Sequence, residues 1–233
     1  MIVTDKENND MIYAIAIDGP AGAGKSTIAK ILAKELELIY VDTGALYRTI
    51  GYYVTSQGID TADTDAVVGA LSGLKVELKY VDGVQRVFAN GEDVSDLIRT
   101  PAISMAASAV SAIPAVRAYL LDTQRDIAAN HSVVMDGRDI GTVILPNAKI
   151  KIFLTASPES RAKRRYDELQ AKGDPATYEE VLADMIKRDY DDSHRAIAPL
   201  KQADDAVAVD TSGETLEQSV AKIKAIVYEK LAE

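Results

Sequence analysis

Short apolar runs alternate along the chain with stretches in which apolar residues recur every three or four positions. The runs are IYAIAI (12–17), LIYV (38–41), SVVM (132–135), KIKIFL (149–154) and AVAV (206–209). Because the strands of a parallel sheet are joined by crossover helices, this alternation predicts an α/β fold. We expect a parallel sheet of about five strands, flanked by helices on both faces.

The segment 75–94, KVELKYVDGVQRVFANGEDV, breaks this alternation. Apolar and polar residues alternate singly through it, and the dipeptides Asp82-Gly83 and Asn90-Gly91 are typical of hairpin turns. We therefore predict a small antiparallel β unit inserted into the α/β core. The pattern leaves open whether this unit only packs or has a further role.

The last third of the chain is helical and charged. Ser157 and Gly173 are start and stop signals for one helix, and a second helix follows Pro175. A closing helix over about 214–231 would place one apolar stripe against the core. The stripe consists of Leu216, Val220, Ile223, Val227 and Leu231. At the other end, residues 1–10 are polar and predict a flexible leader, so that 11–233 would form a single domain.

Composition argues against several classes of function. The 233 residues carry 26 Lys and Arg against 36 Asp and Glu, a net charge of −10 that argues against binding a nucleic acid polymer or an anionic membrane. There is no cysteine, and His131 and His194 lie too far apart to suggest a metal site. Neither a signal sequence nor a long apolar run is visible, so we expect a soluble, cytoplasmic protein. A polyanionic substrate would need a local concentration of positive charge.

The strongest chemical signal is the loop that follows the first apolar run. Residues 19–26, GPAGAGKS, fit G-x-x-x-x-G-K-[ST], a pattern in which backbone N–H groups surround phosphate oxygens. In this pattern Lys25 reaches the β- and γ-phosphates, and the Ser26 hydroxyl is a ligand of Mg²⁺. The predicted triphosphate-binding residues are Gly19, Pro20, Ala21, Gly22, Ala23, Gly24, Lys25, Ser26 and Thr27.

This loop does not by itself identify the reaction. A GTPase would need D-x-x-G soon after the loop and N-K-x-D later, but the D-x-x-G at 210–213 comes too late and the sequence has no N-K-x-D. Motor ATPases and small-molecule kinases share the same loop, so it leaves the reaction open. The alternative from another class is a nucleotide-binding regulatory module whose β insert recruits a partner.

Arginines near predicted strand ends indicate a second phosphate site. Arg48 and Arg138 come shortly after the second and third predicted strands, at the edge of the sheet where ligands bind. Two further groups are spaced to share one face of a helix. They are Arg188, Asp192 and Arg195, and Arg161, Arg164 and Arg165. Either group could instead be an ordinary solvated face with surface salt bridges.

Several segments resemble, in the same order, the motifs of the bacterial cytidylate kinases, which belong to the nucleoside monophosphate kinase group. They are GPAGAGKST, DTGALYR, GEDVSDLIRT, MAASAVSAIPAVR, DGRDIGT and HRAIAPL. The resemblance covers the chain from about Ile12 to the last helix. It implies a P-loop kinase fold and Mg²⁺-dependent transfer of the γ-phosphoryl group of ATP to CMP or dCMP, in a protein that we expect to be a monomer. A P-loop kinase with another acceptor is the alternative among enzymes.

The resemblance also implies regions and residue roles. A region that binds the monophosphate, including the β insert, would span about 43–113, and a lid about 157–195. The acceptor phosphate would be held by Arg48, Arg138 and Arg195, and the sugar by Arg188 and Asp192. The base would be read by Ser108, Arg117 and Asp139, in a pocket also lined by Thr43 and Tyr47. The catalytic residues would be Lys25, Arg138, Arg161, Arg165 and Arg195.

Asp139 and Arg117 suit cytosine on chemical grounds. A carboxylate accepts from the N4 amino group of cytosine and repels the carbonyl that uracil has there. An arginine donates to the O2 and N3 acceptors of cytosine. Asp139 could instead serve only as a salt-bridge partner of Arg138. No general base is needed because the acceptor is already anionic. Asp136, at a strand end, could orient the Mg²⁺ hydration shell.

Overall fold

The computed structural model describes residues 12–81 and 84–233. The predicted leader and the Asp82-Gly83 turn lie outside the described residues. The strands are β1 (Ala14–Asp18), β2 (Ile39–Asp42), β3 (Val76–Val81), β4 (Val84–Ala89), β5 (Glu92–Asp93), β6 (Val133–Gly137), β7 (Ile150–Thr155) and β8 (Val207–Asp210). The α-helices are α1 (Lys25–Glu35), α2 (Thr43–Ser56), α3 (Thr64–Leu71), α4 (Pro101–Ser111), α5 (Pro114–Asn130), α6 (Pro158–Gln170), α7 (Tyr178–His194) and α8 (Leu216–Ala232).

The central sheet has five parallel strands in the order β2-β6-β1-β7-β8. The prediction of about five parallel strands is confirmed, and each strand overlaps one of the five apolar runs and extends past its end. In this register the last residue of β1, Asp18, is level with Gly137, and Asp42 of β2 is level with Asp136. The carboxyl ends of three adjacent strands therefore meet at one edge of the sheet.

Helices cover both faces of this sheet. On one face, α1 and α8 bury Ile28, Leu32, Ile223 and Val227 against β1 and β7. On the other face, Val41 and Met135 pack with the π-helical turn Ile140–Ile144 and with one side of α5. The sheet is thus the middle layer of three.

The stripe predicted for the closing helix is right except at its start. Val220, Ile223, Val227 and Leu231 pack on the core, whereas Leu216 is 46% exposed. The helix is capped by the side chain of Thr215. Leu216 is therefore the first residue of the helix, at the end that does not yet pack against the sheet.

The β insert forms a separate antiparallel sheet in the order β3-β4-β5. Asn90 and Gly91 both have positive φ (50° and 84°), as the predicted two-residue turn requires. The insert also contacts the central sheet, because Gln85 Oε1 accepts a hydrogen bond from the Asp42 amide (2.9 Å) and Tyr80 donates one to the Tyr40 carbonyl (2.8 Å). Its apolar side joins a second core formed with α2, α4 and α5.

The two helices predicted for 157–195 are present, with Ser157 capping α6 and a capping box of Thr177 and Glu180 starting α7. Arg195, however, lies just past the end of α7 in extended backbone (φ −63°, ψ 143°). The predicted single face of Arg188, Asp192 and Arg195 is therefore wrong for Arg195, because the chain leaves the helix at His194.

Within 12–81 and 84–233, no single helix is long and apolar enough to cross a membrane. The pair α4 and α5, which meet at 99°, passes that test together by length and composition only.

Candidate active site

The glycine-rich loop lies between the end of β1 and the start of α1. Gly22 and Gly24 have φ of 73° and 90°, a left-handed backbone that favours glycine. At Gly19 a Cβ would lie 1.9 Å from the carbonyl oxygen of Leu154, so even alanine cannot be accommodated. No side chain caps the first turn of α1. Its amide groups remain available to an anion, as expected of a phosphate-binding helix start.

Lys25 is the buried cation of this loop. Its ammonium group donates to the Pro20 carbonyl (2.7 Å), and burial, together with the charge of Arg138, lowers its pKa to about 7. A lysine in such surroundings is stabilised in its charged form by an anion brought to the loop.

Ser26 and Asp136 are the side chains that would hold Mg²⁺. Ser26 Oγ donates to Asp136 Oδ2 (2.8 Å), while Asp136 Oδ1 accepts from the Tyr40 hydroxyl (2.8 Å). Burial, and then the charge of Asp42, raises the pKa of Asp136 to about 6. These are hard oxygen donors, which suit Mg²⁺ at a nucleotide, where the ion takes few protein ligands and completes its shell with phosphate and water.

A single cavity extends from this loop to the predicted acceptor residues. Its wall carries six Lys and Arg side chains and four Asp, an excess of positive charge in a chain whose net charge is −10. The charged residues of the wall are Lys25, Arg48, Arg117, Arg138, Arg188 and Arg195, and Asp42, Asp136, Asp139 and Asp192. The local concentration of positive charge expected for a polyanionic substrate is therefore present here.

The arginines of this wall are held by carboxylates. Arg48, in the second turn of α2, pairs with Asp42 (2.9 Å). Arg138, directly after β6, pairs through Nε with Asp192 of α7 (2.7 Å), and the two charges stabilise each other. This pair joins the central sheet to the helical region of 157–195.

Asp139 pairs with two other arginines. It accepts a hydrogen bond from Arg117 of α5, and its Oδ1 lies 3.5 Å from the Arg195 guanidinium. The alternative in which Asp139 only pairs with Arg138 is wrong, because Arg138 turns away to Asp192. The Arg117 guanidinium carbon lies 5.6 Å from the centre of the Tyr47 ring, and burial raises the pKa of Tyr47 to about 12.

Three further predicted residues differ in their surroundings. Thr43 is buried and donates to the Asp136 carbonyl (2.7 Å). Arg188 lines the cavity with its Nε buried and without a hydrogen-bond partner, and burial lowers its pKa to about 10. Ser108 is not on the cavity wall. Its helix turns Ala107 and Ser111 toward the cavity instead, and Ser111 Oγ lies 3.4 Å from Arg195.

The three arginines predicted for the lid contact different partners. Arg161 is buried and donates to the Ala21 carbonyl of the loop (2.9 Å), and its guanidinium also pairs with Asp189. Arg164 donates to the Thr211 carbonyl (2.9 Å), and Arg165 pairs on the surface with Glu168 (3.2 Å). None of the three lines the cavity. In this structure each of the three has a different partner, and their place over the ATP phosphates stays a prediction.

Sequence reasoning missed three of the carboxylates that organise the site. Asp18 and Asp42 end β1 and β2, and Asp189 pairs with Arg161. The strand-end rule that singled out Arg48, Arg138 and Asp136 would have found Asp18 and Asp42, had it been applied to every acidic residue.

The family model and the similar sequences name the same family. The family model described as "Cytidylate kinase" matches residues 15–229. The chain is 46% identical to the cytidylate kinase of Lactobacillus johnsonii over 225 residues, covering 97% of this chain and 98% of that protein. It is 50% identical to that of Ligilactobacillus salivarius over 216 residues, covering 93% and 96%. Among solved structures, an uncharacterized protein from Eubacterium ventriosum has a TM-score of 0.51 at 13% identity, covering 92% of this chain and 98% of that one.

Proposed function

The chain belongs to the cytidylate kinase family, and we propose how its cavity carries out phosphoryl transfer from ATP to CMP or dCMP. An oxygen of the acceptor phosphate attacks the γ-phosphorus of ATP, and the bond from that phosphorus to the β–γ bridging oxygen breaks. The products are ADP and CDP or dCDP. The observation that supports this division of roles is one continuous cavity with the glycine-rich loop at one end and the Arg117–Asp139 pair at the other.

The loop is the donor end. Lys25 leaves the Pro20 carbonyl and binds the β- and γ-phosphates, while the amides of the loop and of the first turn of α1 bind phosphate oxygens. Ser26 would bind Mg²⁺ directly and Asp136 through its hydration shell. Mg²⁺ held there would supply positive charge to offset the negative charge that develops during transfer.

The acceptor phosphate is bound by Arg48, Arg138 and Arg195. Each now lies beside a carboxylate of the cavity wall, and an incoming phosphate competes for the same guanidinium groups. Arg188 and Asp192 contact the sugar, and the orphaned Nε of Arg188 is a donor in need of an acceptor. Since the acceptor is anionic near neutral pH, no protein base has to remove a proton.

The base is read by the pair of Arg117 and Asp139. Buried together, they present one acceptor and one donor side by side, which matches the N4 amino group and the N3 and O2 acceptors of cytosine. Tyr47 and Thr43 complete this end of the cavity.

We propose further that 43–113 acts as the monophosphate-binding region and 157–195 as a lid. Lid closure would exclude water and bring Arg161 and Arg165 to the ATP phosphates. That the enzyme is a cytoplasmic monomer stays a prediction.

A substrate panel tests this function. The enzyme is incubated with Mg·ATP and CMP, dCMP, UMP, AMP or GMP in turn, and ADP release is measured. CMP or dCMP should give the highest kcat/KM. Phosphorylation of none of them would refute the kinase and favour a nucleotide-binding module.

A further inference from the structure

We propose that Asp18 is a positioning residue for base selection, which fixes the backbone after Asp139 and so sets where the Asp139 carboxylate meets the pyrimidine. The inference rests on the base-reading role proposed above for Asp139. Asp18 itself lies outside the cavity wall, and thus acts through another residue.

The contact that carries this inference joins two distant parts of the chain. Asp18 Oδ1 accepts a hydrogen bond from the amide of Ile140 (2.7 Å), and Oδ2 accepts one from the amide of Gly141 (2.7 Å). These are the two residues that directly follow Asp139. Hydrogen bonds to an ionised carboxylate are short and stronger than those between neutral groups.

The Asp18 carboxylate sits on a rigid base. Its residue ends β1, the central strand of the sheet, and is paired with Gly137 on one side and Phe153 on the other. The next residue, Gly19, is packed so closely that a Cβ would lie 1.9 Å from the Leu154 carbonyl oxygen. The strand end cannot shift easily, so the carboxylate is a fixed point.

Asp139 is held from both sides as a result. Its own carbonyl accepts from the amides of Val143 (2.9 Å) and Ile144 (3.1 Å). Both belong to the π-helical turn Ile140–Ile144, whose first two amides donate to Asp18. The amides of the two residues after Asp139 and the Asp139 carbonyl are all hydrogen-bonded, so the backbone at Asp139 has little freedom. Its side chain then points at Arg117 from a defined place.

Asparagine at position 18 would separate a positioning role from a purely structural one. Burial raises the pKa of Asp18 to about 6, against the opposing effect of the two amides, so an ionised group here is costly for stability. Asparagine would relieve that cost. It would also turn an amino group toward one of the two N–H donors, so that one tether is replaced by repulsion.

The variant Asp18→Asn tests the inference. We expect kcat/KM for CMP to fall by about 10- to 100-fold, from loss of one charge-assisted bond. The preference for CMP over UMP should fall as well, while KM for ATP changes little. A structural defect alone would lower the active fraction and leave both the preference and the KM values unchanged. Asp60→Asn is the matched control, because Asp60 also accepts a loop amide (Ala62, 2.9 Å) but is exposed and remote from the cavity.

An unchanged CMP to UMP preference in Asp18→Asn would overturn the inference. It would leave the proposed function intact as long as the native enzyme phosphorylates CMP, whereas failure of the native enzyme on CMP would refute the function itself. A second measurement needs no variant. Amide hydrogen exchange at Ile140 and Gly141 in the nucleotide-free native enzyme should be slow, by about a thousandfold or more relative to an open loop. Fast exchange at both amides would overturn the inference even if Asp18→Asn failed to fold.

Discussion

The two ends of the cavity are built from different parts of the chain. The donor end, 19–27, offers mainly backbone, since its glycines have conformations or packing that exclude side chains and α1 starts without a side-chain cap. The acceptor end offers side chains, and three of its arginines are already paired: Arg48 with Asp42, Arg117 with Asp139, and Arg138 with Asp192.

Under the proposed function, the difference follows from what each end has to recognise. A polyphosphate is the same in every nucleoside triphosphate, so amides and one lysine suffice for it. A particular base and monophosphate need side chains at fixed positions. Pairing with carboxylates holds the arginines in place before the substrate arrives, which is the preorganisation that makes electrostatic stabilisation effective.

The largest effect is expected from a side chain added to the donor end. Gly19→Ala would bring a Cβ within 1.9 Å of the Leu154 carbonyl oxygen, at a φ of 149°. We expect the free energy of unfolding to fall by about 3 kcal/mol or more, together with loss of ATP binding. Urea denaturation and calorimetric titration with ATP measure the two.

Gly58→Ala is the control for that variant. Gly58 also has a positive φ (72°), but nothing lies within 4 Å of its Cβ position. It should lose only about 1 kcal/mol, from backbone strain alone. If Gly19→Ala were as stable as Gly58→Ala and bound ATP normally, the donor end would not depend on its backbone.

At the acceptor end we expect a loss of catalysis with the fold retained. Arg138→Ala removes one cation from the proposed site of the acceptor phosphate and leaves Asp192 without its Arg138 partner, so kcat/KM for CMP should fall by about 10²- to 10³-fold. KM for ATP should change much less. Arg99→Ala, an exposed arginine outside the cavity, is the control. Near-normal turnover of Arg138→Ala in steady-state assays would remove this residue from the site.

A smaller and more selective effect is expected at the base. Asp139→Asn keeps the size of the side chain but loses the carboxylate that would accept from N4 of cytosine. The ratio of kcat/KM for CMP over UMP should then fall by about 10-fold or more. The ratio is measured with both substrates on one enzyme preparation, so that the active fraction cancels. An unchanged ratio would show that Asp139 serves only to hold Arg117 and Arg195.

Sequence alone predicted what depends on neighbouring residues. The five apolar runs, the glycine-rich loop and the Asn90-Gly91 turn have local patterns, and each was found where it was expected. Sequence alone could not show contacts that a distant partner decides. Arg161, Arg164 and Arg165 are close on one helix, yet Asp189, the Thr211 carbonyl and Glu168 draw them apart. Helical spacing cannot show this, because two of those partners lie in other elements.

The smallest effect concerns the one lysine of the donor end. Burial lowers the pKa of Lys25 to about 7, so in the free enzyme it becomes neutral as the pH rises above that value. Bound phosphates favour the charged form and raise this pKa, and ATP binding must therefore take up protons above pH 7. The affinity for ATP should fall as the pH rises from about 7 to 8.5, by at most about tenfold per pH unit.

Calorimetry in buffers of different ionisation enthalpy measures this proton uptake directly. Asp18 and Asp136, with pKa values of about 6, are ionised over most of this range and contribute little to it. Lys25→Met should bind ATP more weakly and without the pH dependence, whereas Lys34→Met, which removes an exposed lysine of the same helix, should keep it. A slope that survived in Lys25→Met would assign the proton to a side chain of the acceptor end. The contrast between a donor end with one titrating side chain and an acceptor end of paired charges would then fail.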